Sequence, residues 1–277
     1  MVPTETRDVE EIEVALLLEA IFRRYGFDFR EYASASLKRR LWRRAHGEGL
    51  DTISALQSRV LHDPACMERL LLDLSINVTT MFRNPSFYTA FRAKVVPLLK
   101  TYPFSRIWVA GCSTGEEVFS LAIVLEEEGL LERTRLYATD INEAVLERAR
   151  LGVFPLDKMR EYTQHYLLAG GTRAFSEYYV ANYDGAVFDK RLVEKAVFAQ
   201  HNLASDHGFN EFHAIVCRNV MIYFDRSLQR RVFQLFHDSL ARFGVLALGH
   251  KETIRYSGFE DRYEELDVAE KLWKKVG

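Results

Sequence analysis

From about residue 104 onward, short β-branched and aromatic runs alternate with amphipathic helical stretches, and this alternation constrains the fold more than any other feature of the chain. The runs RIWVA, RLYATD, AVFAQHNL, HAIVCRN and GVLALGH read as strands, while EEVFSLAIVLEEE, NEAVLERARLG and RSLQRRVFQLFHDSLARFG between them carry helical spacing. Strands joined through helices pair in parallel, so the pattern implies an α/β fold with a mainly parallel sheet covered on both faces. The chain before it has a different texture. From residue 9 to about 75 the segments VEEIEVALLLEAIFRRYG, SASLKRRLWRRAHG, DTISALQSRVLH and DPACMERLLLDLS all read as helices, with Gly26, Gly47 and Gly49 as stops and Asp51 and Asp63 as starts. Residues 155–195 break the alternation, and the Asp184-Gly185 pair in a tyrosine-rich stretch predicts a β-hairpin. The expected division is a helical domain over 1–76, a linker over 77–103 and an α/β domain over 104–277 with a small β-subdomain inserted at about 169–195.

Bulk properties narrow the function classes. At 277 residues and 48% hydrophobic the chain can bury a full core. No apolar run approaches the roughly 20 residues needed to cross a bilayer, and the acidic opening MVPTETRDVEEIEV is unlike a signal peptide, so a cytoplasmic location without membrane insertion is expected. The net charge of −2 gives no general attraction for nucleic acid, and any basic docking surface must be local. One candidate exists: five of the seven residues from Lys38 to Arg44 are basic. Cys66, Cys112 and Cys217 stand far apart without metal-binding spacing, which predicts buried thiols and no metal site.

Ligands of open parallel sheets sit beyond the carboxyl ends of the strands, and four of the predicted strands end in polar motifs: AGCSTGEE, Asp140 of YATD, QHNL and CRNVMIYF. The Gly111-x-x-x-Gly115 turn lacks both the Lys-Ser/Thr pair of a phosphate-binding loop and the dinucleotide spacing. Glu116 and Glu117 follow it, and two carboxylates at a helix start would repel a pyrophosphate, so a cationic or amino-bearing ligand fits better. Asp140 comes about 25 positions after Gly115, near the spacing at which a carboxylate meets ribose hydroxyls, although a strand-end Asp can equally cap the next helix.

Taken together, NVTTMFRN, AGCSTGEE, ATDI, HNL and CRNVMIYFD resemble, in order and across nearly the whole chain, the chemotaxis-receptor glutamate O-methyltransferases of the CheR type. The resemblance implies a Rossmann-like S-adenosylmethionine-dependent methyltransferase domain with a β-subdomain insertion, preceded by an all-α substrate-recognition domain. By motif, it implies cofactor contacts from Asn77, Thr79 and Arg83 in the linker, Gly111, Gly115 and Glu117 in the loop, Asp140 at the ribose, Asn202 and Leu203 near the adenine, and Arg218 and Asn219 at the methionine end. Tyr223 is the candidate positioning residue near the transferred methyl, with core packing as its alternative. Arg39, Arg40, Arg43 and Arg44 are the candidates for gripping the substrate, the cytoplasmic helical domain of a methyl-accepting chemotaxis receptor. A glutamate with an ordinary pKa of about 4.3 is already ionised and needs no general base. RNVMIYF also lacks the consecutive prolines of the Asn-Pro-Pro-Tyr pattern seen in many amino-methylating enzymes, which favours carboxylate chemistry. A methyltransferase for another substrate, or a non-catalytic S-adenosylmethionine sensor, would share the cofactor motifs.

Overall fold

Four helices form over the N-terminal segments: α1 (Thr4–Tyr25), α2 (Ser34–Gly47), α3 (Ile53–His62) and α4 (Pro64–Leu74). The computed structural model describes residues 4–75, 79–183 and 185–276. Thr52, rather than Asp51, caps α3, its hydroxyl accepting from the Ala55 N–H at 3.1 Å. Asp63 caps α4 through the Ala65 N–H at 3.0 Å, and Pro64 fills the first helical position, where no N–H is needed. Leu17, Ile21, Leu41, Ile53, Leu56, Val60 and Leu70 are fully buried and form the core of this helical unit. Two later pieces of chain, Asn202–Asp206 and Tyr223–Arg231, pack as part of the same unit. They are tied in by backbone bonds such as Ala33 N–H to the Tyr223 carbonyl at 2.8 Å and Asp225 N–H to the Glu31 carbonyl at 2.9 Å.

The second unit comprises residues 77–201, 207–222 and 232–277. It opens with α5 (Pro85–Ala90), a π-helical turn (Phe91–Val95) and α6 (Val96–Lys100), a helical stretch the sequence reading left within the linker. The elements that follow are β1 (Ser105–Ala110), α7 (Glu116–Glu127), β2 (Thr134–Asp140), α8 (Glu143–Leu151), β3 (Val153–Phe154) and α9 (Met159–Leu168). Then come β4 (Tyr179–Asn182), β5 (Gly185–Phe188), β6 (Val197–Gln200), β7 (Phe212–Cys217), α10 (Arg226–Ser239, counted with this unit only from Val232), β8 (Leu240–Leu248), β9 (Tyr263–Asp267) and β10 (Leu272–Lys275). The main sheet has the order β6-β2-β1-β7-β8-β10-β9. Its first five strands are parallel, with Ile107 opposite Leu136 on one side and Ala214 on the other, and β10 and β9 close it antiparallel. The order grows outward from β1 in both directions, so the crevice outside the ends of β1 and β7 is the switch point where such sheets bind ligands.

Three expectations change. The helical spacing seen through Gly244 stops at Ser239, because Leu240 already pairs with Phe212 and a register shift carries the chain on to Val245 opposite Ala214. The β9–β10 hairpin was not expected. The small sheet has the order β3-β5-β4, so its third strand, Val153–Phe154, lies ahead of the predicted 169–195 insertion. Asn182 pairs with Gly185 at the hairpin's turn, and Asp184 lies outside the described residues. Glu127 at the end of α7 anchors this region. It accepts from Tyr166 Oη at 2.5 Å, the Thr172 N–H at 2.9 Å and Tyr178 Oη at 3.2 Å, and it pairs with Arg92. Burial pushes the Glu127 carboxyl up, but these partners outweigh it and hold the group below the usual range.

Candidate functional site

The loop after β1 is built on left-handed backbone. Gly111, Ser113 and Gly115 have φ of 75°, 51° and 98°. Both Gly111 and Cys112 donate their N–H to the Thr139 carbonyl, at 2.8 and 2.9 Å, which locks the loop onto the end of β2. A Cβ at Gly111 would lie 2.4 Å from Val220 Cγ2, and one at Gly115 would lie 2.9 Å from Ala149 Cβ. Glycine is therefore required twice over, by backbone conformation and by close approach.

Asp140 ends β2 under this loop. Its Oδ2 accepts the Ser113 N–H at 2.9 Å and its Oδ1 the Asn142 N–H at 3.1 Å. The cap of α8 is Asn142, whose Oδ1 accepts from the Ala144 N–H at 3.0 Å, so Asp140 is not the helix cap its position allowed. Asp140 is 8% exposed, and burial pushes its carboxyl above the ordinary carboxylate range.

The two carboxylates that start α7 diverge. Glu116 turns inward, accepting from Thr114 Oγ1 at 2.6 Å and Tyr162 Oη at 3.4 Å, and burial raises its pKa. Glu117 accepts from Arg218 Nη1 at 2.6 Å. Arg218 is almost wholly enclosed, its side chain 1% exposed. Its Nη2 donates to the Arg83 carbonyl at 2.8 Å and to Asn84 Oδ1 at 3.1 Å, and its guanidinium lies 3.9 Å from the centre of the Phe87 ring. One cation thus joins the end of β7, the start of α7 and the segment before α5. The loop is consequently less acidic than two adjacent glutamates suggest, since one is neutralised and the other is turned into the core. Arg83 and Thr79 are half-buried, and Asn77 lies outside the described residues. Asn219 follows Arg218 with a left-handed φ of 62°, and its N–H donates to Glu252 Oε2 at 3.0 Å. Glu252 was missed by the sequence reading. The signal available was a fifth polar strand end, LGHKET, after β8.

The remaining candidates belong to the helical unit. Asn202 uses its Oδ1 on the Ala204 N–H at 3.0 Å, and its backbone N–H donates to Asp206 Oδ2 at 2.8 Å. Its Nδ2 is buried with no hydrogen-bond partner among the described residues. Leu203 and Tyr223 are half-buried.

The four arginines of α2 separate into two pairs. Arg39 and Arg43 are exposed. Arg40 is 9% exposed and shares the helix face of Leu37, Leu41 and Ala45. It donates to the Leu74 carbonyl at 2.6 Å and to Ser36 Oγ at 3.0 Å, and it lies 5.1 Å from the Tyr223 ring centre. Arg44 binds Asp73 at 2.7 Å and Glu48 at 3.2 Å. Arg40 and Arg44 are thus held within the helical unit, and the solvent-facing charge of α2 rests on Arg39 and Arg43. Among the described residues no group of side chains could hold a metal ion, and no helix is long and apolar enough to cross a membrane.

Residues 12–75 match the all-alpha domain of CheR methyltransferases, and residues 77–271 match the S-adenosylmethionine-binding domain of the same family. A Pseudomonas putida protein, Cher3, is 50% identical over 265 residues, covering 96% of this chain and 97% of its own length. The chemotaxis protein methyltransferase of Listeria innocua is 30% identical over 83% of this chain and 85% of its own. The chemotaxis protein methyltransferase of Escherichia coli is 28% identical over 94% of this chain and 90% of its own.

Proposed function

Because this chain belongs to the CheR methyltransferase family and takes S-adenosylmethionine as its cofactor, we propose that it methylates glutamate side chains in the cytoplasmic helical domain of a chemotaxis-type receptor, forming glutamyl methyl esters in the cytoplasm. The observation that supports this choice of nucleophile is that every carboxylate named at the strand ends is already held by protein partners or turned toward the cofactor. Asp140 and Glu252 accept backbone N–H groups, Glu116 is turned into the core and Glu117 is paired with Arg218. None is poised to take a proton from an amine, whereas a glutamate arrives ionised and asks for no base.

Within each unit, taken by itself, the chemistry of the residues present fits part of the cofactor. Beyond its backbone partners, the Asp140 carboxylate keeps acceptor capacity for a ribose hydroxyl. The unpartnered Nδ2 of Asn202 suits a ring nitrogen of adenine, with Leu203 as apolar contact. Glu117, oriented by Arg218, suits the amino group of the methionine part, and by motif Asn77, Thr79, Arg83 and Asn219 are the further contacts proposed for that end. The Gly111–Gly115 loop offers backbone that a ligand can approach closely. Bound S-adenosylmethionine supplies a methyl group on a positively charged sulfur that departs neutral. The protein's tasks are therefore alignment and exclusion of water, and Tyr223, its ring faced by the Arg40 guanidinium, serves alignment.

Arg39 and Arg43 grip the acidic receptor helix and steer its approach. Replacing both with Glu is expected to lower receptor methylation at low salt by at least about tenfold and to flatten its salt dependence. Calorimetry should find S-adenosylmethionine affinity unchanged, since both side chains face solvent. Wild-type methylation in the double variant would refute this assignment.

A further inference from the structure

We propose that Glu252 is a positioning residue of the cofactor site, its carboxylate fixing the turn Asn219–Met221 against the glycine loop. The inference rests on the cofactor reading above.

After β7 ends at Cys217, residues 219–221 leave the sheet and lead into a 3-10 turn at Met221–Tyr223, where their N–H groups need acceptors outside the sheet ladder. Glu252 supplies all three. Its Oε2 accepts from Asn219 at 3.0 Å, and its Oε1 accepts from Val220 at 2.9 Å and Met221 at 2.8 Å. A fourth N–H, from Gly249 at the end of β8, reaches Oε2 at 2.6 Å. Both oxygens are thus doubly used, in a group 4% exposed, and such charge-assisted bonds to backbone are the strong kind. They hold Asn219 in a left-handed conformation that a residue with a side chain adopts only when its surroundings impose it.

The turn also forms a wall of the loop. Val220 stands so close to Gly111 that a single Cβ there would reach 2.4 Å from Val220 Cγ2. Glu252 sets Val220, Val220 sets the room open to the Gly111 backbone, and the same clamp orients Asn219 next to Arg218. The carboxylate therefore links the ends of β1, β7 and β8 across the switch point of the sheet. A carboxamide cannot replace it, because an NH2 group would face two of the four N–H donors.

The test compares the full-length wild type with Glu252→Gln and Gly249→Ala. The second variant keeps the carboxylate but pushes a Cβ to 2.6 Å from Glu252 Oε2 and 2.8 Å from the Asn219 nitrogen. Three quantities are measured: the S-adenosylmethionine dissociation constant by calorimetry, amide hydrogen exchange of the peptide covering 217–222, and the separate KM values for cofactor and receptor. Expected for Glu252→Gln are a cofactor Kd raised at least about tenfold, faster exchange confined to 219–222, and a raised KM for cofactor with the KM for receptor unchanged, a split that general loosening does not produce. A folded Glu252→Gln protein with wild-type cofactor affinity overturns the proposal. Should that variant not fold, Gly249→Ala decides, and wild-type affinity there overturns the proposal equally. A wild type that itself fails to bind S-adenosylmethionine defeats the cofactor reading, and this inference falls with it.

Discussion

Arg218→Ala is expected to lose about 3–5 kcal/mol of stability, the cost of removing one partner from a buried ion pair. The change deletes the bonds to Glu117, the Arg83 carbonyl and Asn84 and the contact with the Phe87 ring, leaving Glu117 at the mouth of the loop without its counter-charge. Cofactor binding should fall with it, since Glu117 then has nothing to orient it. Arg218→Lys should recover only part of either loss, because one ammonium nitrogen cannot stand where two separate guanidinium nitrogens meet Glu117 on one side and Arg83 and Asn84 on the other. Thermal unfolding and calorimetry on the two variants check both statements, and an Arg218→Ala protein as stable as wild type would show the pair to be dispensable.

Arg40→Glu is the second large effect. The guanidinium of Arg40 is enclosed between the Leu74 carbonyl, Ser36 and the Tyr223 ring, so reversal places a carboxylate among groups that favour a cation. Burial already works against the charge on Arg40, depressing its pKa, and only its partners make the site tolerable for an ion. A loss of about 3–5 kcal/mol in the helical unit is expected, visible as a lowered denaturant midpoint. Arg39→Glu, one residue away and exposed, should change stability by no more than about 0.5 kcal/mol and leave the midpoint nearly where it is. Equal midpoints for the two would mean that the inward placement of Arg40 carries no energy.

The contrast between these neighbours marks where the sequence was legible. Helical spacing told that Leu37, Leu41 and Ala45 share one face, and they do. A cluster of basic residues reads as a solvated patch, and the pattern held no sign that Arg40 would find a carbonyl from α4 and a tyrosine from a distant piece of chain. Such partners are set by tertiary packing alone. The parallel strands were visible because β-branched runs between helices have few other solutions. The β9–β10 hairpin was not, because YEELD and LWKK carry too many charges to look like strands, and an antiparallel edge with one wet face accepts them. In the site, Gly111, Gly115 and Asp140 could be named because a tight loop beside a strand-end carboxylate is a local pattern. Glu252 escaped because its meaning lies in N–H groups about thirty residues earlier, brought to it only by the adjacency of β7 and β8.

The central claim, that the acceptor is a carboxylate, is tested most directly by the stability of the product bond. Receptor-bearing membranes from the protein's own organism are incubated with the enzyme and S-adenosylmethionine labelled in its methyl group, and the labelled receptor is then held in mild alkali. A glutamyl methyl ester hydrolyses there, so the account predicts that the label leaves the protein as volatile methanol and that mass spectrometry places the modification on glutamate before treatment. Label that stays on the receptor through alkali would identify an N-methyl product and contradict the account.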